Sequence, residues 1–202
     1  EYEFFLFSEN SHSIREKEFK NLNNFTPGMF GYSVLRNSVE SDLYNELLEL
    51  CISMDMPLEG LHTETGPGVL EAAILVDESL NSADKATLFK TFSKVMFQKK
   101  GLIANFMAKW SADYPGQSGH IHLSLQDEKG KSIFASSKDE LPKRLLYFIG
   151  GLQTYMREFS VMIAPTVNSY KRLCPGAWAP INMTWGIENR TTAFRAIRGG
   201  PS

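Results

Sequence analysis

Strand-like segments arrive in pairs along this chain, with helix-patterned stretches between one pair and the next. That order favours an α+β antiparallel sheet over a doubly wound parallel one. Residues 1–7, Glu1-Tyr2-Glu3-Phe4-Phe5-Leu6-Phe7, combine aromatic and aliphatic side chains of high β-propensity and read as a strand. Residues 8–40 are polar, rich in Asn and Ser and broken by Pro27-Gly28 and Gly31, so a long loop with little regular structure is expected. From Asp42 to Met54, apolar residues at Leu43, Leu47, Leu50 and Met54 follow the spacing of an amphipathic helix. Strands at Leu58–Glu64 and Leu70–Val76 flank a turn at Thr65-Gly66-Pro67-Gly68.

A helix is expected over Ala83–Lys100, with Leu88, Phe92, Val95 and Met96 facing one side, Ser82 as N-cap and Gly101 as the stop. Ile103–Lys109 and His120–Gln126 read as strands joined by a loop containing Pro115-Gly116-Gln117-Ser118-Gly119. The longest helix is expected over Leu141–Met162, with Leu145, Phe148, Leu152 and Tyr155 toward the core. Ile181–Trp185 and Thr192–Ile197 again read as strand. No internal repeat is evident.

The 202 residues suffice for one substantial domain. A formal net charge of -2 supplies no basic field for nucleic acid or an anionic membrane, so an anionic substrate would depend on local arginines. No apolar run approaches the roughly 20 residues of a membrane span. Cys51 and Cys174 lie far apart and need not pair, which fits a reducing compartment, and cytoplasm is the expectation.

Glu1 and Glu3 share a strand face, and two carboxylates so close repel unless a cation lies between them; a frayed, solvated strand end also accounts for the pair taken alone. Glu64 and Glu71 bracket the Gly-Pro turn, so a hairpin would bring both toward one site, although a solvated edge is the commoner use of such a pair. Several carboxylates together suit magnesium or manganese. His120, His122 and Ser124 alternate along an expected strand, where imidazole could add to a metal site or meet an anion. Arg172, Arg190, Arg195 and Arg198 crowd the last third, and guanidinium forks suit carboxylates and phosphates. Neither a Walker A loop nor a Gly-rich kinase loop is present.

Taken in order, these segments resemble the glutamine synthetase superfamily. The resemblance runs through Glu1–Phe7, then His62-Thr63-Glu64-Thr65-Gly66-Pro67-Gly68-Val69-Leu70-Glu71, then Gly116-Gln117-Ser118-Gly119-His120-Ile121-His122-Leu123-Ser124-Leu125. It continues with Asn168-Ser169-Tyr170-Lys171-Arg172-Leu173-Cys174-Pro175-Gly176 and closes on Asn189-Arg190-Thr191-Thr192-Ala193-Phe194-Arg195. It implies a curved antiparallel sheet with helices on its outer face and metals on the concave one. It implies two or more magnesium or manganese ions, with Glu3, Glu64 and Glu71 holding the first and Glu1 and His120 the second. Gly116 and His120 would place glutamate, Arg172 would bind its α-carboxylate, His122 and Ser124 would line the nucleotide side, and Arg190 and Arg195 would clamp the phosphoryl group. The acidic side chains and His120 would then form one pocket facing those guanidinium groups.

The activity so implied is ATP-dependent joining of ammonia or an organic amine to the γ-carboxylate of glutamate through a γ-glutamyl phosphate, in a homo-oligomeric ring. Three positions depart from the pattern: Trp178 stands where a glutamate is usual, Thr63 where a second histidine is, and Pro115 where an asparagine is. An indole cannot take a proton, so Trp178 points to a more apolar pocket and an organic amine. The same loss suits the alternative, a non-catalytic relative kept for a structural or binding role. Both ends read as cut, so residues 1–202 are expected to be an incomplete catalytic domain, lacking an N-terminal β-grasp domain and a C-terminal segment and inactive alone.

Overall fold

The structure is a computed structural model that describes residues 1–135 and 140–198. A first unit, Glu1–His120, holds β1 (Tyr2–Phe7), α1 (Ser13–Glu16), α2 (Val34–Val39), α3 (Ser41–Ser53), β2 (Leu58–Thr63), β3 (Val69–Ile74), α4 (Ser79–Lys99) and β4 (Ile103–Asn105). A second unit begins at Ile121 and holds α5 (Lys143–Ile163), α6 (Val167–Arg172), β5 (Trp185–Ile187) and β6 (Phe194–Ala196). The fold is α+β, as expected. Among the described residues no helix is long and apolar enough to cross a membrane.

The first unit is built on a sheet of order β2-β3-β1-β4, antiparallel at every pairing. Bulky apolar side chains suit β1 to an inner position covered on both sides, and Phe4, Phe5, Leu6 and Phe7 are all fully buried. Alternation divides them. Phe4 and Leu6 join Leu70 and Ala72 on one face, while Phe5, Phe7 and Val69 form a smaller cluster on the other. The first face is covered by Tyr44, Leu47 and Cys51 of α3 and by Phe89 and Phe97 of α4. Burial of each large side chain there contributes about 1.5–3 kcal/mol. The second face packs Leu22, Ile103 and Trp110 around Phe5 and Phe7. Glu1 and Glu3 extend the odd-numbered series of that second face, so the carboxylates and the covering helices lie on opposite sides of the sheet.

Several boundaries differ from expectation. Residues 8–40 are not wholly irregular, since they contain α1 and α2. Buried Glu9 accepts hydrogen bonds from Ser13 Oγ (2.6 Å), the Asn23 N–H (2.8 Å) and Lys17 Nζ, which ties that segment down. α4 starts at Ser79 rather than Ala83, with the Glu78 carboxylate, not Ser82, accepting the Leu80 N–H at 3.0 Å. Its buried stripe is Phe89, Ser93 and Phe97, whereas Leu88, Phe92 and Val95 are 37%, 36% and 40% exposed. Apolar residues ring this helix, and the sheet takes the stripe whose phenyl rings meet Phe4, at 6.1 and 5.9 Å between centroids. The stop at Gly101 is as expected: φ is +74°, and the Gly101 and Leu102 N–H groups return to Gln98 and Phe97 carbonyls.

β4 ends at Asn105 rather than Lys109, and residues 120–126 form no strand, which corrects the expected second pair. In the second unit a turn around Gly130 joins the isolated bridge between Gln126 and Ser132. α5 buries Ile149 and keeps the expected Leu145, Phe148 and Leu152 half-buried, but leaves Tyr155 60% exposed. β5 and β6 pair in parallel, and the Gln153 side chain of α5 donates to the Met183 carbonyl at 2.9 Å.

Candidate metal centre

The register sets His62 opposite Glu71 and Glu71 opposite Glu3, a row across three neighbouring strands. Like charges directly opposite one another destabilise a sheet unless something positive compensates them. Glu71 is the buried member, with 8% of its side chain exposed, and its two oxygens face different imidazoles. Oε2 lies 3.1 Å from His62 Nε2, and Oε1 lies 3.4 Å from His120 Nδ1. Glu64 Oε1 approaches the same His62 nitrogen at 3.3 Å, and Glu1 Oε2 approaches His120 Nδ1 at 2.8 Å. Two donor groups result, one of His62, Glu64 and Glu71 and the other of Glu1, Glu71 and His120, each with ligand atoms within 4.8 Å of one another.

His120 is delivered by a loop that runs beside the start of β1. The Gln117 N–H donates to the Ala108 carbonyl at 2.9 Å, and the buried Gln117 side chain donates to the Met107 carbonyl at 2.6 Å. The Glu3 N–H donates to the Ser118 carbonyl at 2.9 Å, and the Ser118 N–H returns to Glu3 Oε2 at 2.7 Å. The Glu1 nitrogen donates to the His120 carbonyl at 2.9 Å. Gly119 is needed for this close approach, because a Cβ there would stand 2.1 Å from the Glu1 carbonyl oxygen. The glycine-rich loop thus admits neighbouring backbone in this structure.

The electrostatics follow from the geometry. The hydrogen bond to Glu71, with the charges of Glu1, Glu71 and Glu3, outweighs burial and raises the His120 imidazole above its ordinary value. For Glu64, burial works upward, but hydrogen bonds with Tyr32, the Thr65 N–H, Glu71 and His62 outweigh it and hold the carboxyl below the usual range. Carboxylate oxygens dominate both groups, with imidazole as the minority donor, and that chemistry fits magnesium or manganese.

Of the expected metal ligands, Glu1, Glu64, Glu71 and His120 meet in these two groups, while Glu3 sits beside them with its carboxylate on Ser118. His62 belongs to the site without having been given a role. Its position two residues before Glu64 on a strand was the available signal. Thr63 falls on the opposite face, across from Leu70, so its departure from the usual histidine does not touch this centre. Gly116 immediately precedes the Gln117 tether.

In the second unit, His122 and Ser124 do not alternate on a strand as expected, because residues 121–125 are irregular. Arg172 is the half-buried last residue of α6, whose capping box is formed by Thr166 and Ser169. Arg190 is exposed in the turn before β6. Arg195, on β6, gives Nη2 to Glu188 Oε2 at 2.6 Å, while Glu188 Oε1 accepts the Arg198 N–H at 2.7 Å. The Arg198 N–H first, then Arg195, draws the Glu188 carboxyl below its ordinary value. Trp178 is 81% exposed and holds a left-handed φ of 52°.

The chain matches the family described as "Glutamine synthetase, catalytic domain" over residues 1–202. It is 47% identical over 203 residues to the type-1 glutamine synthetase 2 of Dictyostelium discoideum, covering 99% of this chain and 39% of that protein. It is 36% identical to a glutamate–isopropylamine ligase of Pseudomonas sp, covering 100% of this chain and 44% of the relative. A solved GmaS structure in complex with ADP superposes with a TM-score of 0.79 at 26% identity, covering 96% of this chain and 45% of that one. The chain thus spans less than half the length of these relatives. Five motifs in order, the α+β fold and a match along the whole chain place it in the glutamine synthetase catalytic-domain family.

Proposed function

We propose that the protein is an ATP-dependent ligase that joins an amine to the γ-carboxylate of glutamate, and that this chain is part of its catalytic domain. The observation that carries the proposal is Glu71, a buried carboxylate whose two oxygens each serve a separate donor group. Burying the Glu71 carboxylate among other acidic groups for structure alone would be costly. Glu3, Glu64 and Glu71 are assigned to one divalent ion, with His62 beside it, and Glu1 and His120 to a second, which the other Glu71 oxygen also reaches. Bound magnesium or manganese would supply positive charge against the phosphates and the carboxylate under attack.

In the proposed reaction the γ-carboxylate oxygen attacks the terminal phosphorus of ATP, ADP leaves, and γ-glutamyl phosphate forms. The amine nitrogen then attacks the acyl carbon, phosphate leaves, and the nitrogen sheds a proton. On this reading Arg172 binds the α-carboxylate of glutamate, with Gly116 and His120 helping to place it. His122 and Ser124 line the nucleotide. Arg190 and Arg195 offset charge on the phosphoryl group as it moves. Trp178 favours an organic amine over ammonia, since an indole offers apolar surface and no base.

Trp178 is also the one feature that supports a non-catalytic relative, so both readings meet in one experiment. The full-length protein that contains this chain is supplied with manganese or magnesium, ATP and glutamate, and phosphate release is measured with ammonia and with a panel of alkylamines. Release with organic amines, and little with ammonia, is the expected result. No release with any amine would sink the enzymatic reading.

A further inference from the structure

We infer that Tyr32 is a positioning residue for Glu64, fixing the carboxylate before any ion arrives; this rests on the proposed role of Glu64 as a ligand. Residues 24–32 cross the mouth of the β2–β3 hairpin and are fastened to it repeatedly. Asn24 Nδ2 donates to the Pro67 carbonyl at 3.0 Å, the Gly68 N–H to Thr26 Oγ1 at 3.2 Å, and the Tyr32 N–H to the Thr63 carbonyl at 2.8 Å. Gly31 lies so close that a Cβ would stand 3.1 Å from both the Glu64 carbonyl carbon and the Thr65 nitrogen. The path leaves Tyr32 in the left-handed region, at φ 57°, where a bulky residue is strained.

That strained backbone aims the side chain at the site in two ways. The phenol ring stacks on His62, with 5.1 Å between centroids and 18° between planes. The hydroxyl donates to Glu64 Oε1, the same oxygen that faces His62 Nε2. The other oxygen, Oε2, accepts the Thr65 N–H at 3.0 Å. Both Glu64 oxygens and the His62 ring, which belong to one donor set, are thereby oriented by Tyr32 and the Thr65 N–H. A ligand held in place by such partners loses less freedom when an ion binds. Tyr32 reaches Glu64, His62 and the Thr63 carbonyl, so its effect is expected at the His62–Glu64 group.

The test is manganese titration of the protein without ATP, followed by electron paramagnetic resonance, on wild type, Tyr32→Phe and Tyr32→Leu. Wild type should bind two ions. Tyr32→Phe keeps the ring stack and loses the hydroxyl, and should weaken one site by about tenfold while leaving the other and the thermal midpoint unchanged. Tyr32→Leu, which also loses the stack, should weaken that same site further. Equal affinities in wild type and Tyr32→Phe would overturn the inference. So would joint weakening of both sites with a lowered thermal midpoint, the mark of a merely structural residue. A wild type that binds no manganese would overturn the metal reading beneath it, and the inference with it.

Discussion

Glu71 touches both donor groups, which makes it the residue whose charge matters most. Glu71→Gln keeps the volume and removes the charge. It should lower manganese affinity at both sites by at least about tenfold, measured by calorimetry, because each group loses its buried anion. Gly119→Ala separates the groups, since its Cβ has no place beside the Glu1 carbonyl. Manganese should be lost from the Glu1–His120 group and retained at the His62–Glu64 group, and retention at both would contradict the account. At this scale much was legible from the letters. Glu1 and Glu3 share a parity, Glu64 and Glu71 bracket a turn, and His120 follows a glycine loop. Tyr32 was not legible, because its tie to Glu64 spans 32 residues and depends on the path of the intervening backbone.

At the scale of elements, α1 depends on Glu9. Burial works upward on this carboxyl, but hydrogen bonds from Lys17, Ser13 and the Asn23 N–H outweigh it and bring it down to about 2 from an ordinary 4.5. A depressed carboxyl contributes stability above its unfolded value and loses that contribution as pH falls toward the folded one, so the relevant window runs from 4.5 down to about 2. Glu9→Gln should cost about 1–3 kcal/mol at neutral pH and flatten the loss of stability across that window, read by urea unfolding at pH 7, 4 and 3. α4 supplies the second test. Phe89→Ala should cost about 3–5 kcal/mol and Phe92→Ala about 0.5, against the order that helical spacing alone suggested. The pattern along α4 revealed a helix but not its buried face, because apolar residues surround it and packing against Tyr2, Phe4 and Phe106 decides between stripes.

For the molecule as a whole, the informative arrangement is the sheet of the first unit. Covering helices lie on the Phe4 side, and the carboxylate row lies on the other. Paired strands and helical spacing made that α+β layout readable, whereas residues 120–126 misled because alternation of polar and apolar residues was present without a strand partner. The central claim is that Glu71 lies at the junction of two divalent-ion sites. Anomalous diffraction from crystals of the protein grown with manganese and ADP tests it most directly. The account predicts two manganese peaks, one against Glu64 and Glu71 and one against Glu1 and His120, with ligand oxygens at about 2.0–2.6 Å. Peaks confined to other acidic groups, with Glu71 still bonded only to His62 and His120, would contradict it.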